Sequence, residues 1–345
     1  QVLNTDKNLI NVSKAGYVYD AASRRTRVDY LNGSVTFTYD KLSQLLKEQG
    51  TLAGLAHSVA YTYDALGNRM TALDAGSTTT TYTNNTLNQA TKTVKGTSTV
   101  LYSYDKNGNM VKRESPGVTD SQKGYTYDFE NRLTHYARGF SAPGSADYAY
   151  NALGERVSKL IMGQTKTTYY YDGEDLVLEK KGTASTAYLA GPRIDEILTD
   201  SRKFSYHTDG LGSVLNLTDS LGVRSNTYSY SAYGLTKAQT GSVTNPWMYT
   251  GRQYDAESGL YFNRNRYYNP GLGRFMTKDP IGLRGGVNPY AYVRNSPINW
   301  IDPLGLFTVQ IGGSISGGYG GGAGSISGGI VVSIGGGRVQ GGTYI

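Results

Sequence analysis

The chain contains no cysteine among its 345 residues, which excludes a disulfide scaffold, thiolate metal ligation and a cysteine nucleophile together. Histidine is nearly as scarce. His57, His135 and His207 stand too far apart for a metal motif and read as surface or turn residues. A phosphate-cradling Gly-x-x-x-x-Gly-Lys loop, a serine elbow and an apolar run long enough to span a membrane as a confident helix are also missing. No cofactor and no resident metal is expected. Asp105-Lys106-Asn107-Gly108-Asn109 opens like a calcium loop, but it lacks the sixth-position glycine and carries Pro116 where the twelfth position needs an acid, so it reads as a turn. The formal charge of +7 is spread without a Lys/Arg block, the pattern of a solvated surface, and nucleic acid is not an expected partner. Phenylalanine occurs 7 times against 31 tyrosines. Apolar faces built from hydroxyl-bearing rings tolerate water and suit the lining of a cavity or groove.

What is present is a recurring Tyr-Asp dipeptide. It stands at Tyr19-Asp20, Tyr39-Asp40, Tyr63-Asp64, Tyr104-Asp105, Tyr127-Asp128 and Tyr171-Asp172, with Tyr150-Asn151 in phase. Copies follow one another every 20 to 24 residues once a degenerate copy near Tyr82 is allowed for. A period of that length means an array whose units stack to bury their apolar faces. Within one unit, Tyr61-Thr62-Tyr63-Asp64 alternates as a strand, Ala65-Leu66-Gly67-Asn68 supplies a turn, and Arg69 to Leu73 alternates again. The unit is a β-hairpin, and the aspartate suits its turn because a carboxylate accepts from N–H groups just downstream. The fold class is therefore all-β and antiparallel.

Past Thr199 a denser block follows: Tyr206-His207-Thr208-Asp209-Gly210, Tyr249-Thr250-Gly251-Arg252-Gln253-Tyr254-Asp255, Gly259 to Pro270, Asp279-Pro280-Ile281-Gly282-Leu283 and Asp302-Pro303-Leu304-Gly305-Leu306. This block resembles the core that ends the conserved part of Rhs/YD-repeat proteins, and the repeats upstream are of the matching type. The resemblance implies an array of hairpins (1–199) curling into part of a hollow shell, closed by the Rhs-associated core (200–306) as a plug, with 307–345 as the start of an enclosed cargo or toxin. Shells of this kind need more repeats than this chain holds, so an open fragment is expected. The implied protein is bacterial, secreted or associated with the cell surface, with its own C-terminal segment as cargo and secretion-machinery or immunity proteins as further partners. Gln1 and the lack of a signal peptide suggest a piece of a longer protein whose export signal lies upstream.

On residue chemistry alone, Asp-Pro-x-Gly favours a type I turn. The resemblance adds a second role. In such shells an aspartic-protease-like site cuts the chain after the last Asp-Pro-x-Gly-Leu, and the matching positions are Arg266, Asp279 and Asp302, with cleavage between Leu306 and Phe307. Two close carboxyls share one proton, so one acts as base on water while the other polarises the scissile carbonyl. Arg266 would hold one aspartate ionised or steady the oxyanion. A non-catalytic surface adhesion array is the alternative, and it would not require this trio.

The tail after Leu306 holds 15 glycines in 39 residues, and Arg338 is its sole charge. Hydrolytic or transferase chemistry has no residues to work with there. Thr308 to Ile311 and Ile330 to Ile334 read as short strands, and Gly320-x-x-x-Gly324-x-x-x-Gly328 leaves open a membrane-active tail.

Overall fold

The computed structural model describes residues 2–5, 11–139, 144–193, 195–306, 308–311, 330–334 and 337–338. Its wall is one sheet of 23 strands, from Val2–Thr5 to Thr236–Thr240. Every strand pairs antiparallel with the next in sequence, so the wall is an uninterrupted meander.

The Asp of each repeat builds the turn. Asp20 Oδ1 accepts from the N–H groups of Ala22 and Arg24 at 3.0 and 2.9 Å, and its carbonyl accepts from Ser23 N–H at 2.9 Å. Asp40, Asp64, Asn85, Asp128 and Asn151 repeat the pattern. The third residue after each takes a positive φ, 59° at Ser23 and 75° at Gly67, and the register shifts by one at the preceding strand end. This is a type I turn followed by a left-handed residue and a bulge, which bends the wall at regular intervals. Tyr171-Asp172 departs from it, because Asp172 pairs directly across from Asp175.

The Tyr of each repeat ties one hairpin to the last. Tyr39 Oη donates to the Arg25 carbonyl (2.6 Å), Tyr63 to Leu45 (2.8 Å), Tyr104 to Ala90 (3.1 Å), Tyr127 to Met110 (2.9 Å), Tyr150 to Leu133 (2.7 Å) and Tyr171 to Arg156 (3.0 Å). Each acceptor lies five residues after the Asp or Asn of the preceding unit, and each is a buried residue. The degenerate copy turns out to be Asn84-Asn85, where Asn84 Nδ2 replaces the hydroxyl and reaches the Arg69 carbonyl at 3.1 Å. Phenylalanine would fill the same space and leave a buried carbonyl without that donor.

The meander continues past Thr199. Asp200, Asp209 and Asp219 make the same turn although Thr199, Thr208 and Thr218 precede them. The turn thus persists where threonine replaces tyrosine, and the tyrosine link returns at Tyr230, whose Oη donates to the Val214 carbonyl (2.8 Å), five residues after Asp209. At the two ends of the wall, Gly210 N–H donates to Tyr17 Oη and Ala232 N–H to Glu48 Oε2 (2.8 Å), which sets the first hairpins beside the last.

Much of the tyrosine-rich face is covered, although a cavity of about 130 Å³ remains where the two ends of the wall meet, lined by Tyr30, Tyr228, Tyr230 and Tyr249 together with Glu48 and Asp209. A small four-stranded sheet, Gln253–Asp255, Leu260–Asn263, Arg266–Asn269 and Arg274–Phe275, packs on this face. Leu260, Phe262, Tyr267 and Met276 meet Tyr102, Tyr125, Tyr136 and Tyr148, and Tyr261, Tyr268 and Phe275 meet Tyr169, Tyr188 and Tyr228. His57 also lies inside, 8% exposed with Nε2 3.0 Å from Glu48 Oε2, because its strand turns it to the packed face. Beyond Leu306, Val309–Ile311 pairs with Trp300–Ile301 and with Ile330–Ile334, and Val309 packs on Leu211 and Ile301. Gly320, Gly324 and Gly328 lie outside the described residues. Among the described residues, no helix is long and apolar enough to cross a membrane.

Replacing Tyr127 by Phe should lower the unfolding free energy by about 1–3 kcal/mol, the cost of a buried carbonyl left without its donor. Urea unfolding of Tyr127→Phe checks this, and an unchanged stability would mean that the hydroxyl link contributes nothing.

Candidate active site

Arg266, Asp279 and Asp302 come together although they arise from three segments. Arg266 sits on the Arg266–Asn269 strand, and its Nη2 lies 3.0 Å from Asp279 Oδ2 and 3.0 Å from Asp302 Oδ2. The three side chains are 2%, 7% and 3% exposed in that order, so the cluster is shielded from water. Phe275 closes one face of the guanidinium, 3.6 Å from the ring centre. Asp279 Oδ1 accepts from Ile281 N–H at 3.1 Å, whereas Asp302 Oδ1 accepts from Leu306 N–H at 3.0 Å. The two Asp-Pro-x-Gly-Leu segments thus close differently. Each folds back on its own aspartate, but the first closes on Ile281, two residues on, whereas the second closes on Leu306, four residues on.

The second segment is held atom by atom. Its four successive carbonyls each meet a residue 39 positions earlier: Asp302 O accepts from Asn263 Nδ2 (2.7 Å), Pro303 O from Arg264 Nη1 (3.1 Å), Leu304 O from Asn265 Nδ2 (2.9 Å) and Gly305 O from Arg266 Nε (2.5 Å). Buried carbonyls demand such donors. Gly305 is required twice over: its φ is +67°, and a Cβ would stand 2.5 Å from the Asn263 carbonyl. Gly282 in the first segment has φ +63° with open space around it, so only its backbone conformation calls for glycine.

Several positions that hold the site had no role readable in the sequence. Arg252 Nη1 also donates to Pro303 O (2.9 Å), and Asp195, on the loop before the wall strand Ile197–Asp200, pairs with both Arg252 and Arg264, the latter at 2.8 Å. Glu174, in a wall turn, pairs with Arg264 Nε at 3.0 Å. The wall therefore reaches the segment that bears Leu306 through two arginines. Gly285 leaves room for Asp279, whose Oδ2 would be 2.3 Å from a Cβ there. Only the run Asn263-Arg264-Asn265-Arg266, four hydrogen-bonding side chains in a row within a packed strand and turn, could have signalled this use. Phe307 lies outside the described residues.

Burial pushes Asp302 up to about 6 against the pull of Arg266 and the Leu306 N–H, with the charge of Asp279 adding to the rise. Burial likewise pushes Asp279 above its ordinary value, opposed chiefly by Arg266. Arg266 itself is pushed down by burial, and the two aspartates oppose that fall. The arrangement is a pair of carboxyls under one cation, both pushed by burial toward the protonated form.

An aspartate that ionises at about 6 when folded and near 3.8 when solvated leaves the folded state holding the extra proton between those values. Its contribution to stability is full in acid and lost as pH rises through about 6, a change of about 3 kcal/mol at most. Urea unfolding across that window should show this fall in the wild-type chain and a flatter profile in Asp302→Asn. The same slope in both would remove the assignment.

Comparison with known proteins bears on the whole arrangement. The family model described as teneurin YD-shell matches residues 11–292. The tRNA3(Ser)-specific nuclease WapA of Bacillus spizizenii is 34% identical over 286 residues, covering 77% of this chain and 12% of its own length. Double-stranded DNA deaminase toxin A of Burkholderia cenocepacia is 29% identical over 333 residues, covering 84% of this chain and 22% of its own length. Toxin protein Tse5 of Pseudomonas aeruginosa is 28% identical over 357 aligned positions, covering 84% of this chain and 27% of its own length. The chain thus spans well under two thirds of these relatives. Among solved structures, TcdB2-TccC3 without its hypervariable C-terminal region covers 86% of this chain and 19% of that chain, at 18% identity and a TM-score of 0.44.

Proposed function

Because the chain belongs to the teneurin YD-shell family, we propose that it is the C-terminal part of a bacterial toxin shell and cuts its own backbone between Leu306 and Phe307. The relatives that carry the same region are named as a nuclease, a deaminase toxin and a toxin protein, which supports a shell that serves differing effectors. In this reading 1–199 is the Tyr-Asp part of the wall, 200–306 supplies the last strands of the wall up to Thr240 and then the core that closes the shell as a plug, and 307–345 opens the enclosed segment. The whole protein is secreted or lies at the cell surface, and its cargo is its own C-terminal segment.

The observation that carries self-cleavage is the approach of both Asp279 and Asp302 to one Arg266 nitrogen, 3.0 Å each, while Asp302 also holds the Leu306 N–H. Arg266 Nη2 is taken up by the two carboxyls and Nε by Gly305 O, which favours its role as the ion that fixes the pair over a role at the oxyanion. Asp302, the more strongly shielded of the two, keeps the shared proton and gives it to the Leu306 carbonyl oxygen. Asp279 takes a proton from a water whose oxygen bonds to the Leu306 carbonyl carbon. As the resulting diol collapses, the C–N bond breaks, Asp279 passes the proton it took to the Phe307 nitrogen and a diol hydroxyl returns one to Asp302, leaving a carboxyl on Leu306 and a free amine on Phe307. Adhesion alone gives no reason to bury two carboxyls under one arginine.

The wild-type parent should separate under denaturing electrophoresis into a piece ending at Leu306 and one beginning at Phe307. Asp279→Asn and Asp302→Asn should each stay whole, since an amide neither shares the proton nor serves as base. Cutting should slow as pH rises through about 6, where the pair loses its proton. Undiminished cutting in both variants, read by mass spectrometry, would sink the proposal.

A further inference from the structure

Two arginines lie buried at the joint between wall and core, and neither forms a salt bridge among the described residues; Asp64 is the acid that acts on Arg274 from outside the cavity they line. Arg69, just after the wall turn at Gly67, and Arg274, on the small sheet, are 8% and 7% exposed. Both line one small cavity together with Asn68, Gly273 and Asn288. About 10 Å³ of it is open to the centre of a water-sized body, which is room for one. No Asp or Glu lines it.

The donors of this cavity are left over. Arg274 gives Nη1 to Asn84 Oδ1 at 3.2 Å and Nη2 to the Asn88 carbonyl, but its Nε has no hydrogen-bond partner among the described residues. Arg69 leaves both Nε and Nη2 without one. Those two nitrogens form the side-on fork by which a guanidinium grips an anion through two parallel N–H bonds. Tyr61, Tyr82 and Tyr233 surround the Arg69 guanidinium, with ring centres 4.8, 5.7 and 4.1 Å away. Ring faces attract the charge but leave the in-plane N–H groups unmet. Gly273 borders the fork: at its φ of +67° a Cβ would stand 2.2 Å from Arg69 Nη2. Burial works against the charge of Arg274 and the nearby Arg69 adds to that effect, while Tyr104, Tyr290 and Asp64 offset only part of it.

A single water could accept from two of these donors, yet it brings no charge to set against two buried cations. We propose that the cavity binds one small monovalent anion of the size of chloride, held by the Arg69 fork and by Arg274 Nε. Its size excludes phosphate and larger oxyanions. The bound ion joins the Asn68-Arg69 turn of the wall to the Leu272–Arg274 stretch of the core and so adds one more tie to those that seat the core on the wall. This site is separate from the carboxyl pair and stands whether or not the chain cuts itself.

Thermal unfolding of the full chain in sodium chloride and in sodium gluconate, at matched ionic strength, tests the proposal without any variant. Chloride should raise the midpoint by roughly 2–5 °C with a saturating dependence on concentration, and bromide should act alike. Arg274→Met should lose the chloride dependence. Crystals soaked in bromide should show an anomalous peak between Arg69 and Arg274. Equal midpoints in both salts, a difference that grows without saturating, or an ordered water in the cavity with no bromide peak would each overturn it.

Discussion

A tyrosine hydroxyl reaching back to a buried carbonyl is the interaction on which the wall depends. Neighbouring strands already share ladder bonds, but the links from Tyr39, Tyr63, Tyr104, Tyr127, Tyr150 and Tyr171 pass from one unit's strand end to the unit before it. They fix how each turn sits against the last. The aspartate next to the tyrosine closes its own turn, so the dipeptide joins local and inter-unit order in two adjacent residues. A repeat protein gains its stability from such nearest-neighbour terms.

The turns made this way also seat the core. Gly67 O accepts from Asn295 Nδ2 (2.7 Å), Gly108 O from Tyr290 Oη (2.8 Å), and Asn68 Oδ1 from Asn288 Nδ2 (2.7 Å). Further along, Arg156 crosses from the wall to Asp255 (2.5 Å) and Gln253 (2.7 Å), and Lys159 joins the same carboxylate at 2.7 Å. Breaking one partner of such a buried pair leaves an uncompensated charge, which costs more than the intact pair contributes. These polar ties are directional, and they place the core sheet at one orientation on an aromatic surface that by itself would tolerate sliding.

That orientation makes the candidate site. Once the core is seated, the stretch Asp302–Gly305 is largely buried, with Leu304 half-buried, and its carbonyls must find donors. Asn263 to Arg266 supply them in order, and Arg252 and Arg264 tie the same stretch to Asp195 of the wall. The burial that imposes this pairing is also what raises Asp302. Structural demand and acid–base chemistry thus share one cause.

Much of this was legible from residue order. The hairpin unit, its aspartate-closed turn and the antiparallel array follow from local rules of alternation and turn chemistry, which act over a few residues and leave their mark in the chain. The Asp-Pro-x-Gly-Leu pair and Arg266 drew notice through their likeness to a family, since their spacing alone reads as turns. The sequence could not show that Asn84 stands in for a tyrosine, because that depends on which carbonyl lies within reach across strands. It could not show that much of the tyrosine face is covered, that His57 is buried, or that Arg69 and Arg274 line one cavity whose described lining holds no acid. Nor does any local rule place Asp195 against Arg264, 69 residues away. Hairpin geometry is decided by neighbours in the chain, whereas charge pairing and burial are decided by neighbours in space, and only the folded wall determines who those are.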